Sequence, residues 1–241
     1  MQPTLNHQMM GYDRSSTMFS PDGRLLQVEY AKKAVRQGTT SLGIVCKDGV
    51  LLLADKRIIG KLIIPDSVEK VFQVDDHIGA AATGYLMDGR VLIERAQLIA
   101  QQYRVNYDSP MDTLLLVKEI ANMKQAYTQF GGARPFGVSV LFAGVDDDGP
   151  QLFLTDVTGI YFQYKATAVG EAEVQLNEIL EKEYKDNLTL ENGLKLAVGA
   201  FKKVFGKEFD PDRLDGAIVK ADTRQFEKID KETIRKLAKK I

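Results

Sequence analysis

GYDRSSTMFSPDGRLLQVEYA, residues 11–31, joins a polar, aromatic lead-in to an amphipathic helix ahead of any strand. Ser20 supplies a hydroxyl for an N-cap, Pro21 takes a first helical position where its missing N–H costs nothing, and Asp22 suits the positive end of the helix dipole. The spacing predicts a helix over residues 20–36. Leu25, Val28, Ala31 and Val35 recur at helical spacing, with Leu26, Tyr30 and Ala34 beside them. One face of this helix must therefore be buried against the body of the protein.

A chain of 241 residues with 44% hydrophobic content buries a full core and falls in the range of one large domain. With 32 basic against 33 acidic residues and no long run of either sign, its charge gives no reason to expect nucleic acid or an anionic membrane as partner. Protein partners are expected instead. The single Cys46 forms no intrachain disulfide, suits a reducing cytoplasm and reads as a small buried hydrophobe. No apolar run approaches bilayer length, and the first ten residues, MQPTLNHQMM, lack both a charged start and a hydrophobic stretch, so a soluble, unexported protein is expected.

Beyond the helix, Thr40–Cys46 alternates large and small residues, turns at Lys47-Asp48-Gly49 and returns as Val50–Asp55. That is a hairpin signal, repeated by Val68–Val74 and Ile78–Thr83 around Asp75-Asp76-His77. Leu92, Ala96, Ile99 and Tyr103 mark one helix. Leu116, Ile120, Met123 and Tyr127 mark a second, introduced by Ser109-Pro110, and the two read as an antiparallel pair. Phe136–Val145, Gln151–Asp156 and Ile160–Ala168 are β-rich. Two further helices follow at Leu176–Tyr184 and from Leu190 to Phe205, the latter closed by Gly206. Leu214–Asp222 and Gln225–Ile229 are closing strands, and a last helix opens at Asp230 with Ile234, Leu237 and Ile241 inward. Strand blocks alternating with helix pairs suit two facing antiparallel sheets covered by helices, a mixed α+β class.

Tyr12-Asp13-Arg14 followed by Phe19-Ser20-Pro21-Asp22-Gly23-Arg24-Leu25-Leu26-Gln27-Val28-Glu29-Tyr30-Ala31 resembles, almost residue for residue, the N-terminal signature of α-type proteasome subunits, in an archaeal form. The element order resembles the four-layer αββα sandwich of N-terminal nucleophile hydrolases over nearly the whole chain. The resemblance implies one domain, with a gate tail over 1–19, a ring-face helix over 20–36 and the sandwich over 39–241. It implies a non-catalytic component of the outer seven-membered rings of the 20S core particle, partnered by other α subunits, β subunits, a hexameric regulatory ATPase and unfolded protein substrates. No cofactor and no metal are expected.

Catalytic relatives use a threonine whose free amino group acts as base, helped by an aspartate and a lysine. Alignment through Gly43 puts Thr39, Asp55 and Lys70 at those positions. Thirty-eight residues precede Thr39, so its nitrogen lies in a peptide bond and has no lone pair for proton transfer. The alternative is an active threonine protease exposed by cleavage at Gly38-Thr39, which would discard the N-terminal helix. A free-standing amidohydrolase of this fold would have no use for the tail.

The α-type resemblance further implies gating through Tyr12, Asp13, Pro21 and Tyr30, with contacts made across neighbouring copies. It implies a pocket of Lys70, Gly38 and Tyr85 for the ATPase's C-terminal hydrophobic-Tyr-any tail, the lysine meeting its carboxylate. Tyr85 departs from an archaeal leucine, and Met87-Asp88-Gly89-Arg90 from Ala-Asp-Ala-Arg. Phe130-Gly131-Gly132 corresponds to a pore constriction, with phenylalanine where tyrosine is common. Read without the family, Pro21 starts a helix, Tyr30 is core and Lys70 is an exposed strand residue. Residues 1–11 lack apolar periodicity and suit a mobile plug. Asp146–Asp148 lacks the glutamate and spacing of a calcium loop, Gly206-Lys207 is no phosphate loop, and His7 and His77 have no metal-ligand spacing.

Overall fold

The computed structural model describes residues 10–57, 60, 62–64 and 67–241. Helix α1 (Leu26–Gln37) precedes strands β1 (Ser41–Cys46), β2 (Gly49–Asp55), β3 (Val71–Asp75) and β4 (Ile78–Gly84). Helices α2 (Leu86–Tyr107) and α3 (Thr113–Tyr127) lead to β5 (Val138–Asp146), β6 (Gly149–Thr155), β7 (Tyr161–Gln163) and β8 (Ala166–Val169). The chain ends with α4 (Glu173–Glu183), α5 (Leu190–Phe205), β9 (Leu214–Lys220), β10 (Phe226–Lys228) and α6 (Lys231–Lys240).

Two five-stranded antiparallel sheets result, in the orders β10-β9-β2-β1-β8 and β3-β4-β5-β6-β7. Every residue of β2 and β5 is buried, because alternate side chains of each strand serve two different cores. Leu42, Ile44, Leu51 and Leu53 face outward to Leu176, Leu194, Val198 and Phe201 of α4 and α5. Val138, Val140 and Phe142 pack outward on Leu92, Ala96, Leu116 and Ile120 of α2 and α3. Between the sheets lie Val50, Leu52, Leu141, Ala143 and Leu152. This is the expected four-layer αββα sandwich.

The α1 stripe behaves as expected at its core-facing positions. Val28, Ala31 and Val35 enter the cluster between the sheets, where burial of a valine or leucine contributes about 1.5–3 kcal/mol each. The helix thus completes the inter-sheet core. Its start is later than expected, because Ser20-Pro21-Asp22-Gly23 forms a tight turn. Gly23 N–H donates to Ser20 O at 2.8 Å, Ser20 N–H to Arg24 O at 2.8 Å, and Phe19 bridges Leu25. Gly23 has φ +72, which ends any helical path there. The Ser20 hydroxyl accepts from Arg24 N–H inside this turn and caps no helix.

Other boundaries shift for local reasons. Ser109-Pro110 lies in a loop and α3 begins at Thr113, so that proline starts no helix. The expected strand from Val68 begins at Val71. The stretch Ile160–Ala168 is two strands in different sheets, β7 beside β6 and β8 beside β1, and the chain crosses between sheets at Tyr164 and Lys165. Asp230 precedes α6 without a side-chain cap bond, while Gly206 closes α5 at φ +51 as expected.

Cys46 is buried, and burial together with the nearby Asp48 carboxylate pushes its thiol up to about 12. Among the described residues, no helix is long and apolar enough to cross a membrane.

Candidate functional site

Thr39 follows α1 directly, at the end of the sandwich where β3 begins and β4 ends. An ideal Cβ on Gly38 would lie 2.6 Å from Gly84 N, and one on Gly170 would lie 2.8 Å from Gly38 O. The Gly38-Thr39 backbone is therefore threaded between two other backbone segments that only glycine admits so closely. Glu171 N–H donates to Gly38 O at 2.9 Å, and Ala172 N–H to Thr40 Oγ1 at 3.0 Å.

Lys70 is 1% exposed and sits immediately before β3. Its Nζ donates to Thr39 O, to Thr39 Oγ1 at 2.5 Å and to Asp55 O at 3.1 Å. Burial, the largest influence, pulls its ammonium down to about 7, against the opposing carboxylates of Asp55, Glu171 and Asp215. The buried Asp55 carboxylate turns the other way, accepting from Arg213 Nε at 3.0 Å and Nη2 at 2.5 Å. Asp215 Oδ2 accepts from the N–H groups of Lys70 at 3.1 Å and Val71 at 3.0 Å, and Asp215 is paired with Lys228. A hydroxyl and a desolvated lysine are thus brought into contact, with the buried Asp55 carboxylate turned to Arg213 and the threonine nitrogen committed to a peptide bond.

The lead-in segment docks on the same chain. Gln27 Nε2 donates to Asp13 O at 2.6 Å, Tyr30 Oη donates to Asp13 Oδ2 at 3.4 Å, and Ser16 Oγ donates to Phe130 O at 3.3 Å. Phe130 is 61% exposed in the loop after α3, and a Cβ on Gly131 or Gly132 would meet nothing within 4 Å. Tyr85 precedes α2 and is half exposed, with its ring against Gly137.

Residues 12–34 match the N-terminal signature of A-type proteasome subunits, and residues 35–219 match the proteasome subunit family. This chain belongs to the α-type proteasome subunits. It is 51% identical over 230 residues to the proteasome subunit alpha of Methanocaldococcus jannaschii, covering 95% of this chain and 88% of that one. The proteasome subunits alpha of Thermococcus sibiricus and Methanopyrus kandleri are each 48% identical, over 94% and 95% of this chain and 86% and 93% of theirs.

Of the residues expected to act in gating, Asp13 and Tyr30 meet within this chain. Pro21 stands apart, exposed in its turn. Tyr12 is half-buried in the lead-in, and residues 1–9 of the expected tail lie outside the described residues. Gly38 and Lys70 are joined through Thr39, and Gly38 touches Tyr85's neighbour Gly84, so the three expected pocket residues share one end of the sandwich. Lys70 is neither the exposed strand residue nor a surface cation, because the Thr39 and Asp55 oxygens hold it inside. Arg213, Asp215 and Glu171, which surround Asp55, Lys70 and Gly38, carry no signature by type or spacing. Arg213 and Asp55 are 158 residues apart, a pairing only the fold creates.

A second buried lysine, Lys124 of α3, donates from Nζ to Thr155 O and Oγ1, both at 3.1 Å, and burial lowers it to about 7 against the opposing Asp156. Between about pH 7 and the ordinary lysine value of 10.5, the unfolded chain binds protons that the folded chain has released. Stability contributed by these two groups therefore rises with pH across that window and is flat below it, each lysine adding a slope of up to about 1.4 kcal/mol per pH unit. Urea unfolding at stepped pH is expected to show this rise, and Lys124→Met to remove its share. An unchanged slope in that variant rejects the assignment.

Proposed function

We propose that this chain is a non-catalytic α subunit that forms the outer heptameric rings of a cytoplasmic 20S core, gates substrate entry and docks a regulatory ATPase for protein degradation. One observation carries the reading. The segment before Thr39 is built into the fold: α1 completes the inter-sheet core, and Gly38 is wedged between Gly84 and Gly170. Its removal would uncover the part of the inter-sheet cluster that Val28, Ala31 and Val35 cover along β4 and β5, while freeing the threonine amine.

In this reading the lead-in segment and the Phe130-Gly131-Gly132 loop border the axial entrance. Their Ser16–Phe130 bond ties gate to constriction. Tyr85 is the exposed face of the docking pocket, and an incoming terminal carboxylate takes the Lys70 ammonium from the Thr39 oxygens. β subunits supply the hydrolysis.

The protease alternative is favoured by a single contact, the 2.5 Å separation of Lys70 Nζ and Thr39 Oγ1. Native mass spectrometry of the chain assembled with β subunits, with the released subunits weighed in the same run, separates the two. Multiples of seven built from intact 26.8 kDa chains support the gate subunit, and a subunit beginning at Thr39 rejects it. Deleting residues 1–11 from the assembled core is expected to raise short-peptide hydrolysis several-fold, since it removes the plug without touching α1. No increase would sink the gating role.

A further inference from the structure

The loop between α3 and β5 is fastened to α2 at a point that neither the docking pocket nor the constriction includes. Arg134 Nη1 donates to Asp88 Oδ2 at 2.6 Å and Nη2 to Asp88 Oδ1 at 2.7 Å, a bidentate pair. Gly137 N–H donates to Asp88 Oδ2 at 2.8 Å, and Arg134 Nη1 also reaches Pro135 O at 3.0 Å. Asp88 lies in the first turn of α2, where the helix dipole favours its charge. Burial alone would raise its carboxyl, but the bonds from Arg134 and Gly137 prevail and hold it below the ordinary carboxylate range.

On one side of this pair stands Tyr85. Its N–H donates to Gly137 O at 2.9 Å, and its own carbonyl accepts from Asp88 N–H at 3.0 Å and Gly89 N–H at 3.1 Å. On the other side stands Phe130, whose carbonyl accepts from Ala133 N–H and from the Ser16 hydroxyl. The Tyr127 and Phe136 rings, 4.5 Å apart, close the base of the loop. Between that base and the Arg134 fastening, Phe130, Gly131 and Gly132 are left exposed. Asp88 and Arg134 thus join the first turn of α2 to this loop, and the bonds of Ala133 N–H and Ser16 Oγ to Phe130 O continue the path to the loop tip and the lead-in segment.

We propose that Asp88 and Arg134 are a positioning pair that couples the surface around Tyr85 to the constriction loop and the gate tail. The inference rests on the gate reading above and adds two residues to it. An arginine is required because a lysine at 134 cannot make both bonds at once.

The test uses core particles assembled from this chain and β subunits, with native mass spectrometry to verify rings. The readout is the factor by which a synthetic peptide ending in Leu-Tyr-Arg accelerates hydrolysis of a short fluorogenic peptide. Arg134→Ala and Asp88→Ala are each expected to lose most of that acceleration, and the double variant to lose no more than either alone. Deleting residues 1–11 is expected to bring wild type and variants to the same rate, since the chamber itself is unaltered. Arg134→Lys, which keeps the charge, decides the question if the alanine variants fail to assemble, and partial acceleration is expected of it. Wild-type acceleration in assembled variants overturns the proposal, as do additive losses. If neither the peptide nor the tail deletion accelerates the wild type, the gate reading itself falls, which is a different result.

Discussion

Gly84→Ala is expected to cost the protein several kcal/mol and to prevent it from assembling with other subunits. Gly84 has φ +119, and an added Cβ would lie 2.2 Å from Gly137 O and 3.1 Å from Val138 Cα. Forcing an L-residue into that backbone region costs about 1–3 kcal/mol, and overpacking typically costs as much again. The obstructing atom is a carbonyl that already accepts from Tyr85 N–H, so relief on one side breaks a bond on the other. Gly38, 2.6 Å from Gly84 N by the same construction, blocks the opposite retreat. Gly131→Ala provides the contrast: nothing lies within 4 Å of its added methyl, and a change within about 0.5 kcal/mol is expected. Urea unfolding of the two variants side by side decides the matter, and equal stabilities would refute the crowding at Gly84.

Asp55→Ala is expected to destabilise the chain by about 3–5 kcal/mol, because removing one partner of a buried ion pair leaves the other charge uncompensated. Asp55 is 1% exposed and its two bonds from Arg213 span β2 and the segment leading into β9. The same substitution withdraws the largest influence that supports the Lys70 ammonium, so Lys70 is expected to titrate lower still. Replacing both charges, as Asp55→Leu with Arg213→Met, is expected to recover most of the loss. A single variant that loses less than about 1 kcal/mol would show that the pair contributes no more than a surface ion pair.

Much of this architecture is legible where short-range pattern decides. The β1–β2 hairpin follows from alternation around Lys47-Asp48, and the end of α5 from Gly206, since each depends on residues a few positions apart. Where two local readings compete, pattern fails. Ser20-Pro21 suits a helix start and a tight turn equally, and Gly23 with the Phe19–Leu25 bridge selects the turn. Ile160–Ala168 has one uniform β preference, yet its halves belong to opposite sheets, a distinction that resides in pairing partners and not in propensity. Residue type likewise misplaces Lys70. A lysine is mostly exposed by default, and only the convergence of Thr39, Asp55 and β3 explains its burial. The Asp88–Arg134 pair is invisible for the same reason, its members being 46 residues apart.

The strand order also dictates how this molecule can be made. β1 and β2 are among the first strands to leave the ribosome, but their outer neighbours are β8 and β9. Until Ala166–Val169 and Leu214–Lys220 have been synthesised, the early hairpin carries two bare edges and an apolar surface on each side. Non-local pairing of this kind forms slowly, and unpaired edges aggregate. Losses from the two ends of the chain are therefore unequal in their effect. A nascent chain can spare its first residues, which precede the core, but one stopped before Leu214 lacks the strand that closes its oldest hairpin, and it becomes a client for chaperones before it can join other subunits.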